Sequence, residues 1–191
     1  KQKKLIIMLA SLILAIIFLF ILAFPMILIY IFIKITSPGG ALYWSKRVGK
    51  NNSIFLMPKF RTMKIDTPAI ATHLITDIES HLTPIGQFIR RYSLDEFPQL
   101  FSILIGDMSF VGPRPALFNQ DELIILRTNN GVDKLKPGLT GWAQINGRDD
   151  ISIIEKVKLD VDYVERKSFW FDLKILILTF FKVINSEGVS H

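Results

Sequence analysis

The chain contains no cysteine, which excludes disulfides, thiolate metal sites and a cysteine nucleophile, and fits a cytosol-facing protein. Histidine is scarce. His73, His81 and His191 show no metal-ligand spacing and read as surface residues. Neither a Walker loop nor a GxGxxG fingerprint occurs, so any phosphate chemistry belongs to neither usual nucleotide fold. Internal repeats and low-complexity tracts are missing too. Acidic charge is in deficit, with 17 Asp and Glu against 23 Lys and Arg, a formal net charge of +6. That surplus suits an anionic partner: nucleic acid, anionic lipid or a phosphorylated substrate. At 191 residues the chain fits one compact domain with an appendage.

What is abundant is apolar: such residues make up 50 % of the chain and concentrate at its N-terminus. From Leu5 to Ile33 about 29 residues pass without a charge. As one helix they would extend roughly 43 Å at 1.5 Å per residue, against about 30 Å of bilayer core. Pro25 lies inside the run, where a missing N–H kinks or breaks a helix. Lys1, Lys3 and Lys4 precede it; Lys34, Lys46, Arg47 and Lys50 follow. Positive charge on both flanks favours both ends being on the cytoplasmic side, which suggests a helix that enters the bilayer, turns at Pro25 and returns. The competing reading is a spanning anchor whose tilt absorbs the excess length.

Ser-Pro-Gly-Gly within Thr36 to Gly40 marks a turn after this segment. Two short apolar runs, Ala41 to Trp44 and Ile54 to Leu56, flank a basic Gly/Asn-rich connection and predict a β-hairpin. Residues 66–83 read as a polar loop with a helical turn or two. Helices are expected over 84–91 and from about 95 to 105. Ser152 and Glu155 form a capping box that opens a further helix. In it Asp160 shares a face with Val157, Val161 and Val164. A carboxylate there is either used or held by a structural partner such as an arginine. Over 169–184, Phe169, Leu173, Leu176, Ile177, Phe180 and Ile184 fall on one arc opposite Asp172, Lys174, Thr179 and Lys182. This is too short to span a bilayer and suits either a helix lying in the interface or one packed on the core.

The chemistry concentrates in Ser93-Leu94-Asp95-Glu96-Phe97-Pro98-Gln99-Leu100, where two adjacent carboxylates follow Arg90-Arg91. Neighbouring helical residues point about 100° apart, so Asp95 and Glu96 must divide labour. A helix N-terminus there would favour an ionised carboxylate and a bound phosphate. Ser93 with Glu96 also reads as a plain capping box, and Pro98 fits better if the helix starts at Asp95. In Gly106-Asp107-Met108-Ser109-Phe110-Val111-Gly112-Pro113-Arg114-Pro115 the prolines hold Arg114 in a way that suits bidentate phosphate binding, the alternative being a structural loop with an exposed arginine. Lys136 to Arg148 repeats the theme with glycines, amides and a terminal Arg148. Lys59-Phe60-Arg61-Thr62-Met63 adds a third cationic element.

These four strings, in this order, resemble the bacterial sugar transferases, specifically the monotopic phosphoglycosyl transferases. The resemblance runs from the membrane segment nearly to the C-terminus. It implies transfer of a phosphosugar from a UDP-sugar to polyprenyl (undecaprenyl) phosphate, with UMP released, at the cytoplasmic face of a bacterial inner membrane. It implies Asp95 as the nucleophile of a covalent phosphosugar intermediate. Mg²⁺ would be held by Asp95 and Glu96, and Lys59, Arg61, Arg90, Arg114, Arg148 and Asp160 would bind substrate or phosphate. The family's helix break is usually Ser-Pro, whereas this chain has Phe24-Pro25, and an early Asp often found in that helix has no counterpart here. The expected fold is α+β and mainly helical. Residues 1–35 form a re-entrant membrane helix broken at Pro25; residues 36–191 form a catalytic domain with a small β-hairpin and amphipathic interfacial helices. No nucleic-acid partner is expected, membrane lipid is, and a homodimer stays open. The product would initiate a surface glycan such as O-antigen, capsule or glycoprotein oligosaccharide. The rival class is a non-catalytic membrane module that holds anionic lipid by charge alone.

Overall fold

The computed structural model describes residues 2–67, 77–147 and 151–184. It is mainly helical, with two small two-stranded sheets. Two compact units divide the chain: residues up to 45 with 57–106 form one, and residues 46–56 with those from 107 onward form the other.

The first unit opens with α1, Gln2–Thr36, a helix long and apolar enough to cross a membrane from Leu12 to Thr36. The helix break expected at Pro25 is not seen: α1 is continuous through that residue. A proline removes one i→i−4 bond and can bend an axis while the flanking turns keep theirs. Before Pro25, Phe20 is 85 % and Phe24 71 % exposed. After it Met26, Ile29 and Ile33 pack with Ala41, Phe60 and Ile89. Thr36 Oγ1 donates to Phe32 O (2.7 Å) and Lys34 Nζ to Gly39 O (3.2 Å), closing the last turn.

Strands β1 (Leu42–Val48) and β2 (Ile54–Phe60) form the expected hairpin but run further than the apolar runs suggested. Only an antiparallel pair can be joined by so short a link. In the link Asn51 and Asn52 take left-handed conformations, φ 55 and 58, which asparagine tolerates. Next come α2 (Ile78–His81) and α3 (Gly86–Arg91), the latter beginning two residues later than expected. Of the three histidines His81 is half-buried, and His73 and His191 lie outside the described residues.

The helix expected over 95–105 is shorter. Leu94–Glu96 is a single 3₁₀ turn, and α4 covers Gln99–Leu104. Pro98 explains the split: it sits just before α4 with φ −61, where its missing N–H costs nothing. The capping box read at Ser93 and Glu96 is not formed. Ser93 is left-handed, φ 54, and its side chain caps nothing. Helix α4 packs on α1 and buries Gln99, Leu100, Ser102 and Ile103.

In the second unit β3 (Ser109–Val111) and β4 (Gly138–Thr140) pair in parallel, Ser109 against Gly138 and Val111 against Thr140. Glycine makes this approach possible: a Cβ on Gly138 would collide with the Gly112 backbone, and one on Gly141 with Gly112 O. Two of the sequence motifs thus meet backbone to backbone. Helices α5 (Asp121–Asn129) and α7 (Ile153–Arg166) bury Leu123 and Val157 with Ala116. The Ser152–Glu155 capping box opens α7 as expected, with both reciprocal bonds at 3.2 Å. Short α6 (Trp142–Ile145) packs Trp142 on Phe171 of α8 (Phe169–Ile184), ring centres 5.0 Å apart. Helix α8 buries Phe171 and Ile175 while Phe169, Trp170, Ile177, Phe180 and Phe181 stay exposed.

Candidate active site

In the first unit the left-handed Ser93 turns the chain sharply after α3, and Ser93 N donates to Arg90 O (3.0 Å). The 3₁₀ turn that follows sets Asp95 and Glu96 beside the end of β2. There Lys59 Nζ donates to Glu96 Oε1 at 3.0 Å and lies 3.5 Å from Asp95 Oδ2. The three side chains keep only 12 to 15 % of their surface. Asp95 therefore sits on a 3₁₀ turn beside a lysine, and α4 begins at Gln99, four residues further on.

Two carboxylates converging on one ammonium group can also converge on a metal cation. Their hard oxygens suit Mg²⁺, which commonly takes one or two carboxylates and fills its shell with water and substrate phosphate. Among the described residues no cluster of three or more Asp, Glu or His supplies a complete protein cage. A site shared with substrate is the arrangement these residues fit.

Arg90 lies in the last turn of α3, half-buried. Arg61 is buried: Nε donates to Gly40 O (2.6 Å) and Nη2 to Ser37 O (3.2 Å). These two bonds hold the turn that leaves α1, and Nη1 has no partner among the described residues.

In the second unit Asp160 is 1 % exposed and Arg127 8 %. Arg127 Nε and Nη2 both donate to Asp160 Oδ2, at 2.9 and 2.7 Å. Burial pushes the Asp160 carboxyl up from its ordinary pKa, and the Arg127 charge offsets part of that rise. The third arm of Arg127, Nη1, donates to Arg114 O (2.7 Å). Of the two readings open for Asp160, the structure supplies the arginine partner. Arg127 itself was missed from sequence. Its one signal is that it follows Leu123 by four residues, so both lie on the buried face of α5. Arg148 falls outside the described residues.

Further along, Tyr163 OH donates to Asp172 Oδ1 (2.8 Å). Burial first, then the Asp172 charge, pushes the phenol above its usual range. Arg166 lies over the Phe171 ring at 4.2 Å from its centre.

A family model described as bacterial sugar transferase matches residues 2–186. An uncharacterised sugar transferase, EpsL of Bacillus subtilis, is 45 % identical over 83 % of this chain and 76 % of its own length. A UDP-glucose:undecaprenyl-phosphate glucose-1-phosphate transferase of Escherichia coli is 39 % identical over 78 % of this chain and 34 % of its own. An undecaprenyl-phosphate galactose phosphotransferase of Salmonella typhimurium is 36 % identical over 88 % of this chain and 38 % of its own. Both of these larger proteins are thus matched over little more than a third of their length.

Proposed function

This chain belongs to the bacterial sugar transferase family, and on that ground we propose that it transfers a phosphosugar from a UDP-sugar to undecaprenyl phosphate. Asp95 is the nucleophile. A carboxylate oxygen attacks the phosphorus that carries the sugar, forming an acyl–phosphate bond while the bond to the UMP oxygen breaks and UMP leaves. An oxygen of undecaprenyl phosphate then attacks the same phosphorus. The Asp95 bond breaks, and free carboxylate and undecaprenyl diphosphosugar result. Two steps let a water-soluble donor and a lipid acceptor use one centre in turn.

The observation that carries this reading is the largely covered convergence of Asp95, Glu96 and Lys59 inside the stretch that the family model matches. Mg²⁺ held by Asp95, Glu96 or both would supply positive charge against the phosphate oxygens. Lys59 orients the two carboxylates. Arg114 is assigned to donor phosphate, with Arg90 and Arg148 as further cationic residues, all on the motifs alone. Helix α1 is proposed as re-entrant and the protein as seated on the cytoplasmic face of the inner membrane. The exposed aromatic arc of α8 supports an interfacial position. The product would start a surface glycan.

The test is to supply UDP-glucose, UDP-galactose and UDP-N-acetylated amino sugars with undecaprenyl phosphate and Mg²⁺ and to measure UMP release. At least one donor should give release that Asp95→Asn abolishes. Omitting the acceptor should leave a protein heavier by one phosphosugar in intact mass. Release that survives Asp95→Asn unchanged would refute the proposal.

A further inference from the structure

The Pro113-Arg114-Pro115 loop is short of donors of its own, because neither proline has an N–H. Its carbonyls, with that of Ala116, are taken in unbroken succession by groups from elsewhere in the second unit. Gly138 N donates to Pro113 O (2.9 Å), Arg127 Nη1 to Arg114 O (2.7 Å), Arg47 Nη1 to Pro115 O (3.1 Å) and Val48 N to Ala116 O (2.9 Å). Two of the four donors are arginine side chains, from α5 and β1. A guanidinium donates from a rigid planar fork, so it fixes the direction of a carbonyl as well as its distance.

Arg127 is in turn aimed by Asp160, which takes its other two arms. A buried ion pair adds little stability over apolar side chains of equal volume. Here the pair does something an apolar pair cannot: it leaves Nη1 pointing at the one carbonyl between the two prolines.

We propose that Arg127, aimed by Asp160, and Arg47 are positioning residues for Arg114, setting the direction in which its guanidinium meets the diphosphate of the donor. The proposal rests on the assignment of Arg114 to donor phosphate. Asp160 then serves the reaction at two removes and touches no substrate.

A double-mutant cycle on the full chain in detergent or nanodiscs separates positioning from plain structural support. Arg127→Lys keeps a charge toward Asp160 and loses the arm to Arg114 O. UMP release is measured against UDP-sugar for Arg114→Gln, Arg127→Lys and the pair. Arg127→Lys should lower kcat/KM about tenfold alone, within the range that a displaced binding group costs, and less than about twofold when Arg114 is already Gln. Equal losses in both backgrounds would overturn the proposal, since Arg127 would then act on the fold. Arg47→Met loosens the next carbonyl and should show the same dependence on Arg114; it decides the matter if Arg127→Lys does not fold. If Arg114→Gln alone leaves kcat/KM unchanged while Asp95→Asn abolishes turnover, the positioning role is refuted and the transferase reading stands. Turnover that survives Asp95→Asn refutes both.

Discussion

Lys59 Nζ donates to Glu96 Oε1 at 3.0 Å, tying the end of β2 to the turn that carries Asp95. The contact explains why a cationic motif and an acidic one, separated by more than thirty residues of sequence, occupy one place. It also explains how two like charges on adjacent residues are tolerated with most of their surface covered.

Removing the lysine should therefore harm both chemistry and folding. Lys59→Met leaves two largely covered carboxylates without this ammonium group, and a loss of up to about 3 kcal/mol of stability is expected. UMP release should fall at least about tenfold, because misplacing a reacting group by 1 Å costs roughly a hundredfold. Thermal midpoints and rates on the same samples check both numbers.

Chelation gives a second test. EDTA should abolish UMP release and added Mg²⁺ restore it. Glu96→Gln should raise the Mg²⁺ concentration for half-maximal rate by about tenfold, the order seen when one determinant of a metal site is lost. An unchanged metal dependence in Glu96→Gln would remove Glu96 from the metal site.

The Arg127–Asp160 pair should behave as a buried ion pair. Arg127→Met alone leaves a buried carboxylate unpaired, and a loss of about 3–5 kcal/mol is expected. Arg127→Met with Asp160→Leu should recover part of it. Chemical denaturation of the single and double variants measures the difference.

Alkaline pH should destabilise the protein through Tyr163. Above about pH 10 an unfolded tyrosine ionises, while the buried Tyr163, donating to Asp172, holds its proton. With the folded pKa raised, the stabilisation is complete below about pH 10 and declines above it, by at most about 1.4 kcal/mol per pH unit. Tyr163→Phe should flatten that part of the stability profile, read as thermal midpoint against pH.

Because the chain has no cysteine, single cysteines at Lys4 and Lys34 report topology without background. Both should react with a membrane-impermeant maleimide from the cytoplasmic side. Reaction from opposite sides would make α1 a spanning helix.

Periodic elements were legible from sequence because their signals are local. The capping box at Ser152 fixed the start of α7, and the expected span of 169–184 matches α8. The hairpin was legible for the same reason. The start of α4 was not, since Ser93 can cap a helix or take φ 54, and only its surroundings choose. Arg127 carried no motif and became visible through its contacts with Asp160 and Arg114 O. The β3–β4 pairing joins three-residue strands too short to show a period, and its cause lies in the glycines that let two backbones touch.

By itself the sequence determined the long apolar helix, the mainly helical make-up and the family, because apolar periodicity and motif strings are properties of neighbours along the chain. Tertiary structure alone decided that Glu96 turns to Lys59 instead of to the backbone of Ser93, and that Asp160 is spent on Arg127. Glu96 has a local partner available by spacing, and both groups have a distant one available only after folding. Burial makes a charged partner worth more than a local cap, and burial is fixed by packing that no stretch of sequence contains.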